Sequence, residues 1–96
     1  MLELINRRQR QILIHSCIYY ELNENIISDL QFDAWCKELV ELKYQHIEDW
    51  NKSVYADVFK EFDGSSGALL HYRLLYTQAV NLLRIAKKVD KENLAW

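Results

Sequence analysis

Two tyrosines and two aspartates stand where neighbouring helix ends could bring them together. Tyr19 and Tyr20 fall at the end of one predicted helix, and Asp29 and Asp33 fall near the start of the next. The two aspartates are four residues apart and therefore share one helix face. Aromatic rings stack on flat ligands and attract cations, while carboxylates accept hydrogen bonds from ribose hydroxyls or a carboxamide. With Phe32 beside them, these residues suit a flat, cationic ligand that carries hydroxyl groups.

The second of these helices has the clearest start signal in the chain. Ser28 followed by Gln31 forms a capping box, in which the serine oxygen accepts the backbone N–H three residues later. Ile27 and Phe32 flank the cap as a hydrophobic staple. An apolar stripe then continues at helical spacing, so the helix is predicted from residue 29 to about residue 45.

The preceding helix is predicted over about residues 3–21. Its apolar side chains recur at spacings of four and seven, as they do on one face of a helix. Asn23 and Asn25 can take turn or left-handed conformations, and we expect the helix to end there. Because the connection is short, the two helices are predicted to form an antiparallel pair.

Two further helices are predicted in the second half of the chain. One covers about residues 48–61, where aromatic and branched side chains follow helical spacing. Both glycines then stand in the segment from Asp63 to Gly67, which predicts a turn. The last helix is predicted over about residues 68–90. The sequence thus predicts an all-α fold, a small bundle of about four helices.

The last predicted helix carries apolar residues around more than half of its circumference. A helix in a small bundle usually buries one stripe, so the surplus predicts contact with another chain. The predicted outer set, spaced by seven, is Leu75, Leu82 and Val89. This set would serve a homodimer or dock a partner protein.

Composition places the chain among small globular proteins. It has 96 residues, of which 50% are hydrophobic and 27% charged, and this fits a single domain over residues 1–96. There is no proline and there are only two glycines, which disfavours a turn-rich β fold. The net charge of −2 does not indicate a broadly basic surface that binds nucleic acid.

The sequence also argues against several other kinds of site. No apolar run approaches the length of a membrane span, about 20 residues, and the N-terminal stretch is not typical of a secretory signal. Cys17 and Cys36 form no metal-binding motif, so we expect reduced thiols in a cytoplasmic protein and no metal site. No catalytic triad can be assembled from the sequence, and we expect the protein not to be an enzyme.

The segment around the tyrosines and aspartates resembles the small N-terminal helical subdomain of bacterial NAD-dependent DNA ligases. That family shows an aromatic pair, a short turn, an Ile-Ser/Pro-Asp-x-x-Tyr-Asp motif and a helix rich in Glu and Leu. The corresponding residues here are Tyr19–Tyr20, Ile27–Asp29, Phe32–Asp33 and Glu38–Leu42. The register holds without gaps from about residue 10 to His46. The resemblance thus separates a ligase-like helical pair over residues 1–46 from additional helices over residues 47–96.

In that family the subdomain holds the nicotinamide mononucleotide (NMN) half of NAD. The resemblance implies that Tyr19 stacks on the nicotinamide ring and that Tyr20, Asp29 and Asp33 bind the ribose and the amide. Phe32 stands where the family has a tyrosine, so one hydroxyl contact is lost. NAD or NMN is the cofactor that the resemblance implies.

Other features depart from a complete ligase. The family's nucleotide-transfer domain carries a lysine nucleophile in a Lys-x-Asp-Gly motif. Lys60 precedes Asp63 and Gly64 with one residue too many, and no strand pattern surrounds it, so we expect no adenylyl transfer. The sequence also resembles small ligase-subdomain-like proteins of bacteriophages and prophages, which implies a phage origin and the host cytoplasm as its location.

Two functions from different classes stay open at this point. The favoured one is a protein-interaction module that binds and modulates or inhibits a host or defence protein through the ligase-like scaffold. The alternative is a stand-alone NMN- or NAD-binding module, and an accessory role in DNA processing is a third possibility. Small size, acidity and the wide apolar stripe favour interaction, whereas the tyrosine–aspartate set favours ligand binding.

Purely structural roles are also open for the same residues. Aromatic side chains at helical spacing usually pack in a core, and this alternative applies to Tyr19, Tyr20 and Phe32. Asp29 could serve only the helix dipole, and Asp33 could serve only an i,i+4 pair with Lys37. His15 is interpreted as a hydrogen-bonded core residue.

Overall fold

The protein is all-α over the part of the chain that the structure describes. This computed structural model describes residues 1–64 and 70–93, and the side chains of residues 1–64 and 70–88. Its elements are α1 (Leu2–Tyr20), α2 (Asp29–Gln45), α3 (Ile47–Lys52), a short 3₁₀ helix (Tyr72–Leu75) and α4 (Tyr76–Asn93). The predicted fold class is therefore confirmed.

α1 is the helix on which the other elements are assembled. It packs against α2, α3, the 3₁₀ helix and α4. Its side chains Ile5, Ile12 and Leu13 are fully buried and form the main core together with Leu39 of α2 and Phe59. The removal of this apolar surface from water is the chief favourable contribution to folding.

α1 and α2 run in opposite directions. Early in α1, Arg8 Nε lies 3.2 Å from Oε1 of Glu38, in the second half of α2. Later in α1, the His15 ring lies against Trp35, which comes earlier in α2, with 5.3 Å between ring centroids. The later residue of α1 thus contacts the earlier residue of α2, which is the pattern of an antiparallel pair.

The predicted helix cap and the predicted turn are both found at the α1–α2 connection. The Ser28 Oγ accepts the backbone N–H of Gln31 at 3.1 Å, so Ser28 caps α2. Asn23 has a φ of 53°, in the left-handed region that asparagine tolerates. α2 begins at Asp29 and ends at Gln45, as predicted.

The third helix is much shorter than predicted. α3 ends at Lys52, and the chain then continues in turns. Side chains of α1 cause this change, because Asn6 Oδ1 accepts the N–H of Val54 at 2.9 Å and Gln9 Oε1 accepts the N–H of Tyr55 at 3.3 Å. A continued helix would need those backbone donors for its own hydrogen bonds. The prediction of a helix to residue 61 is therefore wrong.

In the described residues the last predicted helix is a 3₁₀ helix followed by α4, and its predicted outer face is wrong at Leu75. A second, smaller core cluster is formed by Cys17, Ile18, Ala79 and Leu83. Leu75, in the 3₁₀ helix, is only 6% exposed and belongs to the main core. Leu82 is half-buried and packs against the smaller cluster. The side chain of Val89 lies outside the described residues.

The described part of α4 is an amphipathic helix with one buried stripe. Ala79 and Leu83 are buried beside α1, and the large apolar side chains that stay exposed are Tyr76 and Ile85. Charged and polar residues occupy most of the remaining exposed positions. Leu75 and Leu82 add little to the exposed apolar surface, because Leu75 belongs to the main core and Leu82 packs against the smaller cluster.

Gly64 lies where the chain returns close to α2. Its φ is +87°, and a Cβ added to it would lie 3.1 Å from Val40 Cγ2. Glycine therefore suits this position both in conformation and in space. The rest of the predicted turn, residues 65–67, lies outside the described residues.

Candidate ligand-binding site

A cavity of about 320 Å³ lies between the end of α1 and the start of α2. It is lined by His15, Ser16, Tyr19, Tyr20, Ile27, Ser28, Asp29, Phe32 and Asp33. Every residue that the sequence predicts to bind a ligand is in this set. The volume is within the range of small-molecule sites, about 300–1,000 Å³. The antiparallel pair thus brings the predicted residues to one place.

The tyrosine pair forms an open, aromatic part of the wall. Tyr19 is 54% exposed, and its ring meets that of Tyr20 edge-to-face with 4.9 Å between centroids. Tyr72 of the 3₁₀ helix also stacks on Tyr20, with 5.8 Å between ring centroids. Tyr19 is therefore not a core residue, and it presents ring surface to the cavity.

Tyr72 is itself held by a polar network. Its hydroxyl donates to Glu21 Oε1 at 3.4 Å, and Arg73 Nε donates to the same oxygen at 2.7 Å. The hydrogen bond from Arg73 lowers the pKa of the Glu21 carboxyl, which favours its charged form. This network holds Tyr72 in place against Tyr20. It was not predicted, because its partners are far apart in the chain.

The aspartates line the cavity from the start of α2. Asp29 and Asp33 are both exposed, and Asp29 lies in the first turn, where the helix dipole favours its charge. Among the described side chains, neither aspartate takes part in an ion pair, so the predicted pairing of Asp33 with Lys37 is not found. Phe32, between them, is half-buried and also packs on the main core.

Two α1 residues complete the inner wall. Burial lowers the pKa of His15 to about 4, so its imidazole is neutral near pH 7. Ser16 is fully buried, and its Oγ has no hydrogen-bond partner among the described residues. Sequence reasoning missed Ser16. The signal for it was its spacing, because it lies three and four residues before Tyr19 and Tyr20 and shares their helix face.

The charges around the cavity favour a cationic ligand. Two aspartates line it, the one histidine in its lining is neutral near pH 7, and no lysine or arginine is in its lining within the described part of the chain. Exposed carboxylates attract a positive ligand, although salt screens this attraction at the surface. The aromatic wall adds a cation–π attraction for the same kind of ligand.

Other kinds of site find less support. Among the described residues, no group of three or more His, Cys, Asp or Glu side chains is placed to hold a metal ion. No helix in residues 1–64 and 70–93 is both long and apolar enough to cross a membrane. Both cysteines are free and buried, and burial raises the pKa of the Cys36 thiol to about 12. A thiol held in its protonated form is a poor nucleophile.

Comparisons of the chain with protein-family models, with curated proteins and with solved structures find no match.

Proposed function

We propose that this protein binds a nicotinamide nucleotide, either NMN or the NMN half of NAD, and does not transform it. The observation that carries this proposal is that the aromatic pair and both aspartates line one cavity. The nicotinamide ring of these nucleotides is flat and positively charged, which matches an exposed tyrosine ring beside carboxylates. The resemblance to the ligase subdomain supports the same ligand.

Each residue has a distinct part in this proposal. Tyr19 offers the stacking surface, because half of its side chain is exposed. Asp29 and Asp33 accept hydrogen bonds from ribose hydroxyls or from the amide. Phe32 contributes apolar contact in place of the hydroxyl that the ligase family has there. His15, being neutral, places no positive charge against the nicotinamide ring.

The fold changes which of the two hypotheses, protein interaction or ligand binding, has more support. The protein-interaction hypothesis relied on an apolar face of the last helix, but Leu75 is buried and Leu82 is half-buried in the core. The ligand-binding hypothesis relied on residues from two helix ends, and those residues line a common cavity. Ligand binding therefore has the stronger support.

A protein-interaction module is the second candidate, and exposed apolar side chains at the end of α1 and the start of α2 favour it. Tyr19 is 54% exposed, and Leu30, next to Asp29, is 82% exposed. Exposed apolar side chains beside carboxylates suit a basic, amphipathic segment of a partner. In this version the helical pair is a scaffold that binds and modulates or inhibits a host or defence protein, in keeping with the implied phage origin.

Isothermal titration calorimetry with NMN and with NAD tests the first proposal. The unmodified protein is expected to bind at least one of them, and Asp33→Ala is expected to weaken that binding about 10- to 100-fold. Asp57→Ala removes another exposed carboxylate, in the turns after α3, and is expected to change nothing. Circular dichroism should show that both variants keep their helices.

Absence of heat with both nucleotides at millimolar concentration would reject nicotinamide binding. A pull-down from host lysate then tests the second candidate. Capture of a partner that is lost with Tyr19→Ala and Leu30→Asp, but kept with Asp57→Ala, would support a protein interaction through these two helix ends.

A further inference from the structure

We infer that Ser16 is a ligand-binding residue that recognises the carboxamide of the nicotinamide ring. This inference rests on the proposed function and assigns a specificity-determining group within the same cavity. Ser16 lines the cavity, its residue is 0% exposed, and its Oγ has no hydrogen-bond partner among the described residues.

An unpaired serine hydroxyl inside a helix is unusual. A serine there commonly donates to the backbone carbonyl one turn earlier, which would be that of Ile12. The Ser16 hydroxyl makes no such bond among the described residues. A buried polar atom without a partner lowers stability unless something that enters the site bonds to it. Ser16 lines the cavity, so a ligand that settles against this wall would meet its hydroxyl.

The two parts of the cavity indicate which ligand group that is. The part lined by Tyr19, Asp29 and Asp33 is exposed and suits the positively charged ring and the ribose hydroxyls of a nicotinamide nucleotide. At the other wall Ser16 is buried and His15 is half-buried, so an uncharged group is favoured there. The carboxamide is the uncharged polar group on the nicotinamide ring. It offers both an N–H donor and a C=O acceptor, and a hydroxyl can bond to either.

If Ser16 has this role, Ser16→Ala is expected to raise the stability of the free protein and to lower its affinity for NMN. The free protein is expected to melt at a higher temperature, because the variant removes an unpaired buried hydroxyl. NMN is expected to bind about 5- to 10-fold more weakly, because one hydrogen bond is lost. A serine whose hydroxyl is already bonded would show a lower melting temperature, and that result would overturn the inference.

Ser53 offers a matched control. It is also a buried serine, but its hydroxyl accepts from Gln9 Nε2 at 2.9 Å and donates to the Trp50 carbonyl oxygen at 2.6 Å. Ser53→Ala is therefore expected to lower the melting temperature. It is expected to leave the relative affinity for different nucleotides unchanged.

The decisive measurement compares NMN with the mononucleotide of plain pyridine, which lacks the carboxamide. Calorimetry is expected to show that the unmodified protein and Ser53→Ala prefer NMN, whereas Ser16→Ala binds both nucleotides alike. Ser16→Cys keeps the shape of the side chain, with a larger sulfur atom and a weaker hydrogen-bonding group, and is expected to lose most of the preference as well.

The outcomes separate the two proposals. If Ser16→Ala keeps the preference for NMN, the assignment of Ser16 is overturned while nicotinamide binding stands. If the unmodified protein binds neither nucleotide, nicotinamide binding fails, and the role of Ser16 fails with it. Equal weakening of both nucleotides by Ser16→Ala would show that Ser16 only shapes the cavity, which also overturns the inference.

Discussion

The α1–α2 corner and the apolar stripe of the last helical segment carry the same kind of sequence signal, but they have different environments in the fold. Both show large aromatic or apolar side chains at helical spacing. At the corner, Tyr19 and Tyr20 are 54% and 38% exposed, whereas Leu75 is 6% exposed. Periodicity alone therefore does not tell a site from a core.

The neighbouring element decides between the two. The stripe of α4 meets the buried face of α1 at Cys17 and Ile18, and its side chains Ala79 and Leu83 are covered there. The corner meets the first residues of α2, where Asp29 and Asp33 leave space between the helices. Aromatic side chains that face carboxylates across a cavity are available to a ligand, while those that face apolar side chains are not.

The largest expected difference between the two regions is in stability. Leu75→Ala is expected to lower the free energy of unfolding by about 2–5 kcal/mol, because Leu75 fills the main core. Ile85→Ala, on the exposed side of α4, is the matched control and is expected to cost less than about 0.5 kcal/mol. Urea denaturation measures both. Similar values for the two variants would contradict the assignment of Leu75 to the core.

Tyr19 provides the corresponding test at the cavity. Tyr19→Ala is expected to weaken NMN binding by about 1–3 kcal/mol, as loss of a stacked ring does, with little change in stability. Tyr44→Ala removes a ring that is 77% exposed on α2, and calorimetry should show unchanged affinity. If Tyr19→Ala instead lowers stability strongly, and the molecules that stay folded bind NMN with unchanged affinity, the role of Tyr19 is in packing.

His15 makes the corner sensitive to pH. Burial lowers its pKa to about 4, below the ordinary value of 6.5. Between these two values the unfolded chain binds a proton that the folded chain does not, so stability falls as the pH drops. The loss is expected to be about 1–2 kcal/mol once partial solvent exposure is taken into account. Urea denaturation of the unmodified protein and of His15→Gln, at pH 7 and at pH 4.5, tests this. The variant should lose less free energy of unfolding between the two pH values.

Ser28 gives the smallest expected effect. Ser28→Ala is expected to lower the free energy of unfolding by about 1 kcal/mol, because the N–H of Gln31 loses its acceptor. Ser28→Asp restores a capping oxygen and should recover most of the loss in the same urea experiment. A full effect in both variants would mean that Ser28 acts through the cavity wall rather than as a cap.

Much of the candidate site was predictable because its signals are local. The cap at Ser28, the turn at Asn23 and the apolar spacing of α1 and α2 each depend on residues within a few positions of one another. Those signals determine where the helices begin and end, and a short connection then places Tyr19 and Tyr20 opposite Asp29 and Asp33. That the Ser16 hydroxyl has no hydrogen-bond partner among the described residues was not predictable, since this depends on what surrounds the side chain.

The sequence by itself thus determined the all-α fold and the helical pair that forms the cavity, because helix spacing, caps and turns act over short distances along the chain. The tertiary structure decided where α3 ends, since Asn6 and Gln9 of α1 take the backbone donors that a longer helix would use. It also decided that Leu75 is buried and that Tyr72 supports Tyr20. Each of these outcomes depends on contacts between residues that are distant in the chain, which no local pattern encodes.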